Sequence, residues 1–272
     1  MKRKLAIGVG AALALSAFGA APAMAAEGDS TVSVLHAVPG LTVDVYINGE
    51  EAIADFEPGT LTDPMMLAAG SYDIQVFADG DTPDSADPAI EAMGVEVPAS
   101  ANLTLAAHLT ESGDPTLSAF ANDTAAVEAG QARLTVRHLA AAPAVDIRAG
   151  GDIIVEGLTN PDEAALETAA GSVSADVVLA GTEDIAIGPA DLELAEGVNT
   201  IVTAWGSAAD GNLALAVQTV EAHSAPSGVP SDLGVAAGDD GTTGIALAIA
   251  GLMGLAALVV VRRQTAPVAE RR

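Results

Sequence analysis

Cysteine is absent from the 272 residues, so disulfides and thiolate metal sites are excluded and an exported domain of this chain must hold itself together by its core. Lysine is absent after Lys4. Between Glu27 and Gly241 only Arg133, Arg137 and Arg148 are basic, against 36 acids, a formal charge of −33. Phosphate recognition needs basic patches, so a nucleic-acid partner is disfavoured, and anionic lipid headgroups would be repelled. A surface this acidic repels itself unless salt screens it, with a Debye length of about 10 Å at 0.1 M, which leads us to expect a saline habitat or a cation-rich cell wall. Aromatic side chains are scarce. Beyond the first 25 residues there are Tyr46, Phe56, Tyr72, Phe77, Phe120 and Trp205, few enough that two cores would claim most of them and leave little to stack on sugars. Also missing are a G-x-S-x-G elbow, an H-E-x-x-H helix and a glycine-rich phosphate loop, and no Ser, His and Asp spacing stands out as a triad. The expectation is a chain that is not an enzyme and carries no organic cofactor.

Long apolar runs are confined to the two ends. Residues 1–25 read as a signal peptide for the general secretory route: Lys2, Arg3 and Lys4, an apolar stretch from Leu5 to Phe18, and the small-residue cleavage site Ala23-Met24-Ala25. Residues 243–261 read as a transmembrane helix. The uncharged run from Gly244 to Val261 spans ~27 Å as a helix, close to a hydrocarbon core of ~30 Å. Arg262, Arg263, Arg271 and Arg272 in the tail, residues 262–272, hold that side in the cytoplasm. The expected location is the cell membrane, single-pass, with the acidic body outside. Residues 223–242, rich in Pro, Gly, Ser and Asp, predict a flexible acidic linker. Ala246, Ala250 and Gly254 place small residues on one face of the predicted helix, a candidate contact for a weak homodimer.

Between the two ends the chain repeats itself. Val32-Ser-Val-Leu-His36 matches Leu134-Thr-Val-Arg-His138, and eight residues after each histidine stand Asp44 and Asp146. Ala69-Gly70-Ser71 matches Ala170-Gly171-Ser172, ten residues beyond these glycines lie Gly80 and Gly181, and Asn102 matches Asn199. Residues 30–124 and 131–222 therefore predict one domain present twice, joined by a connector short enough to restrict their relative motion. Alternation at Val32, Val34 and His36, and again at Val43, Val45 and Ile47, has the period of two of half-buried strands. Asn48-Gly49 and Gly150-Gly151 supply hairpin turns with positive φ. Seven or so short strands per copy predict an all-β fold, two tandem immunoglobulin-like β-sandwiches. Residues Asp162 to Ala169 are compatible with a turn or two of helix, but the matching stretch around Thr62-Asp-Pro-Met argues for a loop.

The run Val32-Ser-Val-Leu-His36-Ala-Val-Pro39, then Val43-Asp44-Val45-Tyr46-Ile47-Asn48-Gly49, then Leu67-Ala-Ala-Gly70-Ser-Tyr72-Asp-Ile-Gln-Val76, resembles the bacterial domain of unknown function 4397. The second copy keeps His138, Pro143, Asp146 and Gly171 but has Arg148 for the tyrosine and Val173 for the second aromatic. The resemblance implies a secreted or surface-anchored bacterial β domain and brings no activity with it. Actinobacterial relatives often end in a hydrophobic anchor with a basic tail. Val229-Pro-Ser-Asp-Leu-Gly234 does not fit the L-P-x-T-G wall-sorting signal.

Each candidate site residue has a structural and a chemical reading. His36, Pro39, Asp44, Tyr46, Gly49, Gly70, Tyr72, His138, Pro143, Asp146 and Gly171 are motif positions whose expected role is structural. The two histidines are expected to face inward and to hydrogen-bond a turn carbonyl. His108 aligns with Trp205, which suggests a position that needs a flat ring. Asp79, Asp81, Asp84 and Asp87 put four carboxylates on one short stretch and are the candidate Ca²⁺ ligands, although the spacing is not that of an EF-hand. The functional expectation is a surface module for adhesion, envelope structure or ligand display. The alternative is an ectodomain that binds or senses a small ligand or cation, and a secreted hydrolase comes last.

Overall fold

The computed structural model describes residues 28–222 and 260–262. The predicted signal peptide, the linker and all but the last two residues of the predicted membrane span lie outside them. Among the described residues no helix is long and apolar enough to cross a membrane.

The first copy contains β1 (Ser30–Ala37), β2 (Val43–Ile47), β3 (Glu50–Phe56), β4 (Met65–Leu67), β5 (Gly70–Ala78), β6 (Ile90–Val97), β7 (Asn102–Leu109) and β8 (Pro115–Ala121). They form two four-stranded sheets, β4-β1-β7-β8 and β3-β2-β5-β6, antiparallel except where β1 runs parallel to β7. The second copy repeats the plan with β9 (Gln131–His138), β10 (Val145–Ala149), β11 (Asp152–Leu158), β12 (Glu163–Ala169), β13 (Gly171–Leu179), β14 (Ile185–Leu194), β15 (Val198–Trp205) and β16 (Ala214–Glu221). Its sheets run β16-β15-β9-β12 and β11-β10-β13-β14, with β9 parallel to β15. Asn48 and Gly49 both adopt positive φ, as do Gly150 and Gly151, so each β2–β3-type hairpin turns in the sense that suits twisted strands.

Each sandwich closes over an almost wholly aliphatic core. In the first copy Val32, Val34, Leu103 and Leu105 meet Val43, Val45, Ile74 and Val76, with Phe56 at the margin. In the second, Leu134, Val136 and Val202 meet Val145, Ile147 and Val177. Burying each such side chain contributes about 1.5–3 kcal/mol, so β-branched residues in quantity offset the shortage of rings.

Two features differ from the sequence expectation. Glu163 to Ala169 is strand β12, neither helix nor loop, paired along its whole length with β9. Glu-Ala-Ala-Leu-Glu has good helix formers, but the pairing sets Glu163 opposite Arg137 and Glu167 opposite Arg133, and tertiary context overrides a weak local preference. Beyond β12, residues Val260–Arg262 form a three-residue strand, β17, antiparallel to it. Val260 and Val261 were expected at the end of a helix. Valine suits strands, and the outer side of β12 offers unpaired backbone groups.

The two copies pack inner sheet against inner sheet, giving four layers. Strands β1 and β7 are therefore buried along nearly their full length on both faces, as are β9 and β15. Leu35, Ala37, Ala106 and Phe120 from the first copy meet Leu139, Trp205 and Ala216 from the second. Gly59, at φ +81°, lies so close to Trp205 that a Cβ there would sit 2.8 Å from the ring. Arg137, 1 % exposed, lies over the Phe120 ring at 4.5 Å, pairs with Glu163 at 2.8 Å and donates to Asn122 Oδ1 at 2.7 Å. Burial pulls its guanidinium below the usual range, and the Glu163 carboxylate opposes that. Thr104 bridges to Gln218 at 2.7 Å, and Arg133 reaches Glu167 and the connector carbonyls of Asp123 and Ala125. Arg148 grips Asp176 with two hydrogen bonds and also pairs with Glu183. All three cations of residues 27–241 are thus engaged internally, which leaves the outer surface almost purely anionic.

Candidate cation site

A register shift between β2 and β3 places Asp44 in a bulge. Its carboxylate is buried and accepts the backbone N–H of Asp55 at 2.9 Å and that of Gly80 at 3.0 Å. Asp146 does the same in the second copy, accepting from Gly157 at 2.7 Å and Gly181 at 2.9 Å. One aspartate per copy therefore ties the bulged hairpin to the turn before the sixth strand. The recurrence of Gly80 and Gly181 after Gly70 and Gly171 has its explanation here.

What surrounds the clamp differs. The residue that donates to Oδ1 has positive φ in both copies, +64° at Gly157 and +52° at Asp55. Aspartate at such a φ is uncommon, and in the first copy it carries a carboxylate into the site. Asp79, just before Gly80, adds another where the second copy has Ala180. One carboxylate oxygen from each of Asp44, Asp55 and Asp79 lies within 4.8 Å of the others. Asp79 is raised above the ordinary carboxylate range by partial shielding from water, then by the charges of Asp55 and Asp44 and a hydrogen bond with Asp55. Three oxygens of one sign, without nitrogen or sulfur donors, suit a hard divalent cation such as Ca²⁺.

Of the four candidate ligands on the β5–β6 connection, the fold brings Asp79 into this group and leaves Asp81, Asp84 and Asp87 on the turn outside it. There the Asp81 amide donates to Ala78 and the turn closes on itself through Thr82 and Ser85. His36 and His138 point inward and donate from Nε2 to the carbonyls of Leu41 and Pro143, at 2.8 and 2.9 Å. Pro143 thus corresponds to Leu41, while Pro39 sits in the turn between β1 and β2. Burial lowers both imidazoles and keeps them neutral. Tyr46 meets Phe77 edge-on and donates to Glu51. Where Tyr46 faces Gln75, the second copy has Arg148 facing Asp176, a paired replacement. Tyr72 donates to the Ala68 carbonyl, Gly49 completes its hairpin, and Gly70 and Gly171 open β5 and β13. His108 and Trp205 both face the opposite copy across the interface.

The family model described as domain of unknown function (DUF4397) matches residues 30–148. The first sandwich carries the DUF4397 match. The match runs on through β9 and β10, ending at Arg148, so both motif histidines and both clamp aspartates fall inside it. The comparison with curated proteins found no match. Asp55 was missed in the sequence because it lies 11 residues from Asp44 and 24 from Asp79. The available signal was its alignment with a glycine in the second copy.

Proposed function

We propose that the chain is an exported, membrane-anchored surface protein without catalytic activity whose first sandwich binds a divalent cation through Asp44, Asp55 and Asp79. The observation that carries this reading is the asymmetry between the copies: one clamp is encircled by two further carboxylates, the other by Gly157 and Ala180. With three protein carboxylates and the remaining positions filled by water, affinity belongs to the weak extracellular class, on the order of 10⁻⁴–10⁻³ M. The buried histidines and clamp aspartates already bond to backbone groups, in keeping with structural duty and not general acid–base chemistry. Calorimetric titration of the full chain with Ca²⁺ tests the site. Heat saturating at millimolar calcium, lost in Asp79→Ala, supports it, and no heat at that concentration refutes it.

A second reading, a rigid display module, is favoured by the four-layer stack, which would hold both domains as one body at the end of the linker. Anchoring through residues 243–261 and the β17 pairing exclude one another, since a span carries Arg262 across the bilayer from β12. Recovery of the full chain in the membrane fraction, released only by detergent, supports the anchor. Recovery as a freely soluble protein supports the strand.

A further inference from the structure

We propose that the joint between the two sandwiches is acid-sensitive and opens when His138 takes up a proton. His138 and His108 come from opposite copies and are 1 % and 0 % exposed. A chain of hydrogen bonds links them across the boundary. His108 Nδ1 donates to the Leu109 carbonyl at 2.8 Å, and Asn160 Nδ2 donates to that same carbonyl at 2.8 Å and to the Ala140 carbonyl at 2.7 Å. The Ala140 amide in turn donates to His138 Nδ1 at 3.4 Å. His138 Nε2 is committed to the Pro143 carbonyl, so its proton sits there and Nδ1 is the acceptor.

A second proton can therefore enter only at Nδ1. It would set two N–H groups against each other and push on the Ala140 amide, next to Leu139, which packs in the interface. His108 can adapt, because Ser118, 2.9 Å from its Nε2, can accept as readily as donate. Of the two histidines in this chain of hydrogen bonds across the boundary, the sensitive one is therefore His138.

The groups that favour a charge on His138 are the Pro143 and Ala142 carbonyls and then the carboxylates of Glu111, in the turn after β7, and Asp162, before β12, while His138 itself opposes a charge on His108. Burial outweighs these carbonyls and carboxylates together, and both imidazoles lie below the ordinary value of 6.5. The sign follows: the opened or unfolded chain binds protons that the closed one refuses, so closure is fully favoured above about pH 6.5 and weakens as pH falls below it. Most carboxylates titrate lower still, which separates the two effects.

Trp205, the sole tryptophan, lies in this interface against Gly59 and reports its opening. The experiment follows Trp205 emission and far-UV circular dichroism of the detergent-solubilised full chain from pH 7.5 to 5.0, for wild type and His138→Asn. In wild type the expected result is a reversible red shift with increased acrylamide quenching, half complete below pH 6.5, at constant secondary structure. In His138→Asn, which keeps an acceptor near Nδ1 and takes no charge, the shift is lost. Unchanged wild-type emission down to pH 5.0, or an identical shift in the variant, overturns the proposal. If the variant does not fold, imidazole titration of the wild type by NMR decides: a His138 midpoint matching the Trp205 midpoint supports it, and distinct midpoints overturn it.

Discussion

The two copies share their interior and differ at two surfaces. Core positions exchange one aliphatic residue for another except where Leu158 replaces Phe56, and the Asp44 and Asp146 clamps are interchangeable in geometry. At the face where the copies meet, Leu35 corresponds to Arg137, Phe120 to Gln218 and His108 to Trp205. The differences complement one another: the arginine of one copy lies on the phenylalanine of the other, and Gln218 finds Thr104. At the bulge, the second copy has glycine and alanine where the first has two acids. A duplicated domain keeps what its own core requires and diverges where each copy meets something the other does not. At the interface that something is the sister copy. At the bulge we read it as a cation.

The sharpest way to break this comparison is to undo the interface charge. Glu163→Ala leaves Arg137 buried without its carboxylate, and removing one partner of a buried pair costs about 3–5 kcal/mol. Replacing the pair with the first copy's solution, where Leu35 bridges to Leu61, as Arg137→Leu with Glu163→Leu, should recover most of that loss, because the desolvated charge goes with it. Urea denaturation of the three proteins measures both effects. If Glu163→Ala costs under 1 kcal/mol, Glu163 is not what compensates the Arg137 charge that the second copy presses against Phe120.

Next in size is Gly59→Ala. The added methyl meets the Trp205 ring at 2.8 Å, and the backbone at φ +81° disfavours any side chain. A loss of about 2 kcal/mol is expected, with Trp205 emission shifted toward that of an exposed indole. The same substitution at Gly49, also at positive φ but with open space around its Cβ, should show the backbone part alone and leave the emission unchanged.

The strands and the duplication were legible because period-two alternation and Asn-Gly or Gly-Gly turns are local signals, and they are cleanest on the outer sheets, where one face meets water. Strand β6, with Glu91 and Glu96 outward and Ile90 and Val97 inward, shows this well. The inner sheets hid their second buried face. Arg133, Thr135 and Arg137 on β9 look like a solvent-facing polar row, and only the sister copy makes them interior. Strand β12 was obscured for the same reason, since its partners are arginines on another strand. At the candidate site, a run of acids drew attention to residues 79–87, while the acidic cluster spans the bulge and takes only Asp79 from that run.

A finer test compares the two clamps under one substitution. Asp146→Asn turns one accepting oxygen into a donor facing a backbone N–H and should cost about 1.5–3 kcal/mol. Asp44→Asn breaks the same kind of bond but also removes one of three mutually repelling carboxylates, so its loss should be smaller. Thermal melts in low calcium would show the difference, and added calcium, which stabilises only the intact site, should raise the Asp44→Asn loss and so narrow or reverse it. Equal losses under both conditions would mean that Asp55 and Asp79 do not interact with the clamp.

The smallest expected effect on stability belongs to Asp55→Gly, which gives the first copy the residue of the second. Relief of a left-handed aspartate gains about 1 kcal/mol, and the freer unfolded chain takes back about 0.4–1 kcal/mol. The two nearly cancel, so relief of charge repulsion decides the sign, and the variant should be equal to wild type or slightly more stable without calcium. With calcium the order inverts. If the wild-type site has a dissociation constant of about 1 mM, 10 mM Ca²⁺ stabilises it by about 1.4 kcal/mol, and the variant, short of one ligand, gains almost nothing. A wild-type melt that calcium does not move would leave an aspartate at φ +52° beside two other carboxylates with no compensation, and the case for selection at this bulge would fall with it.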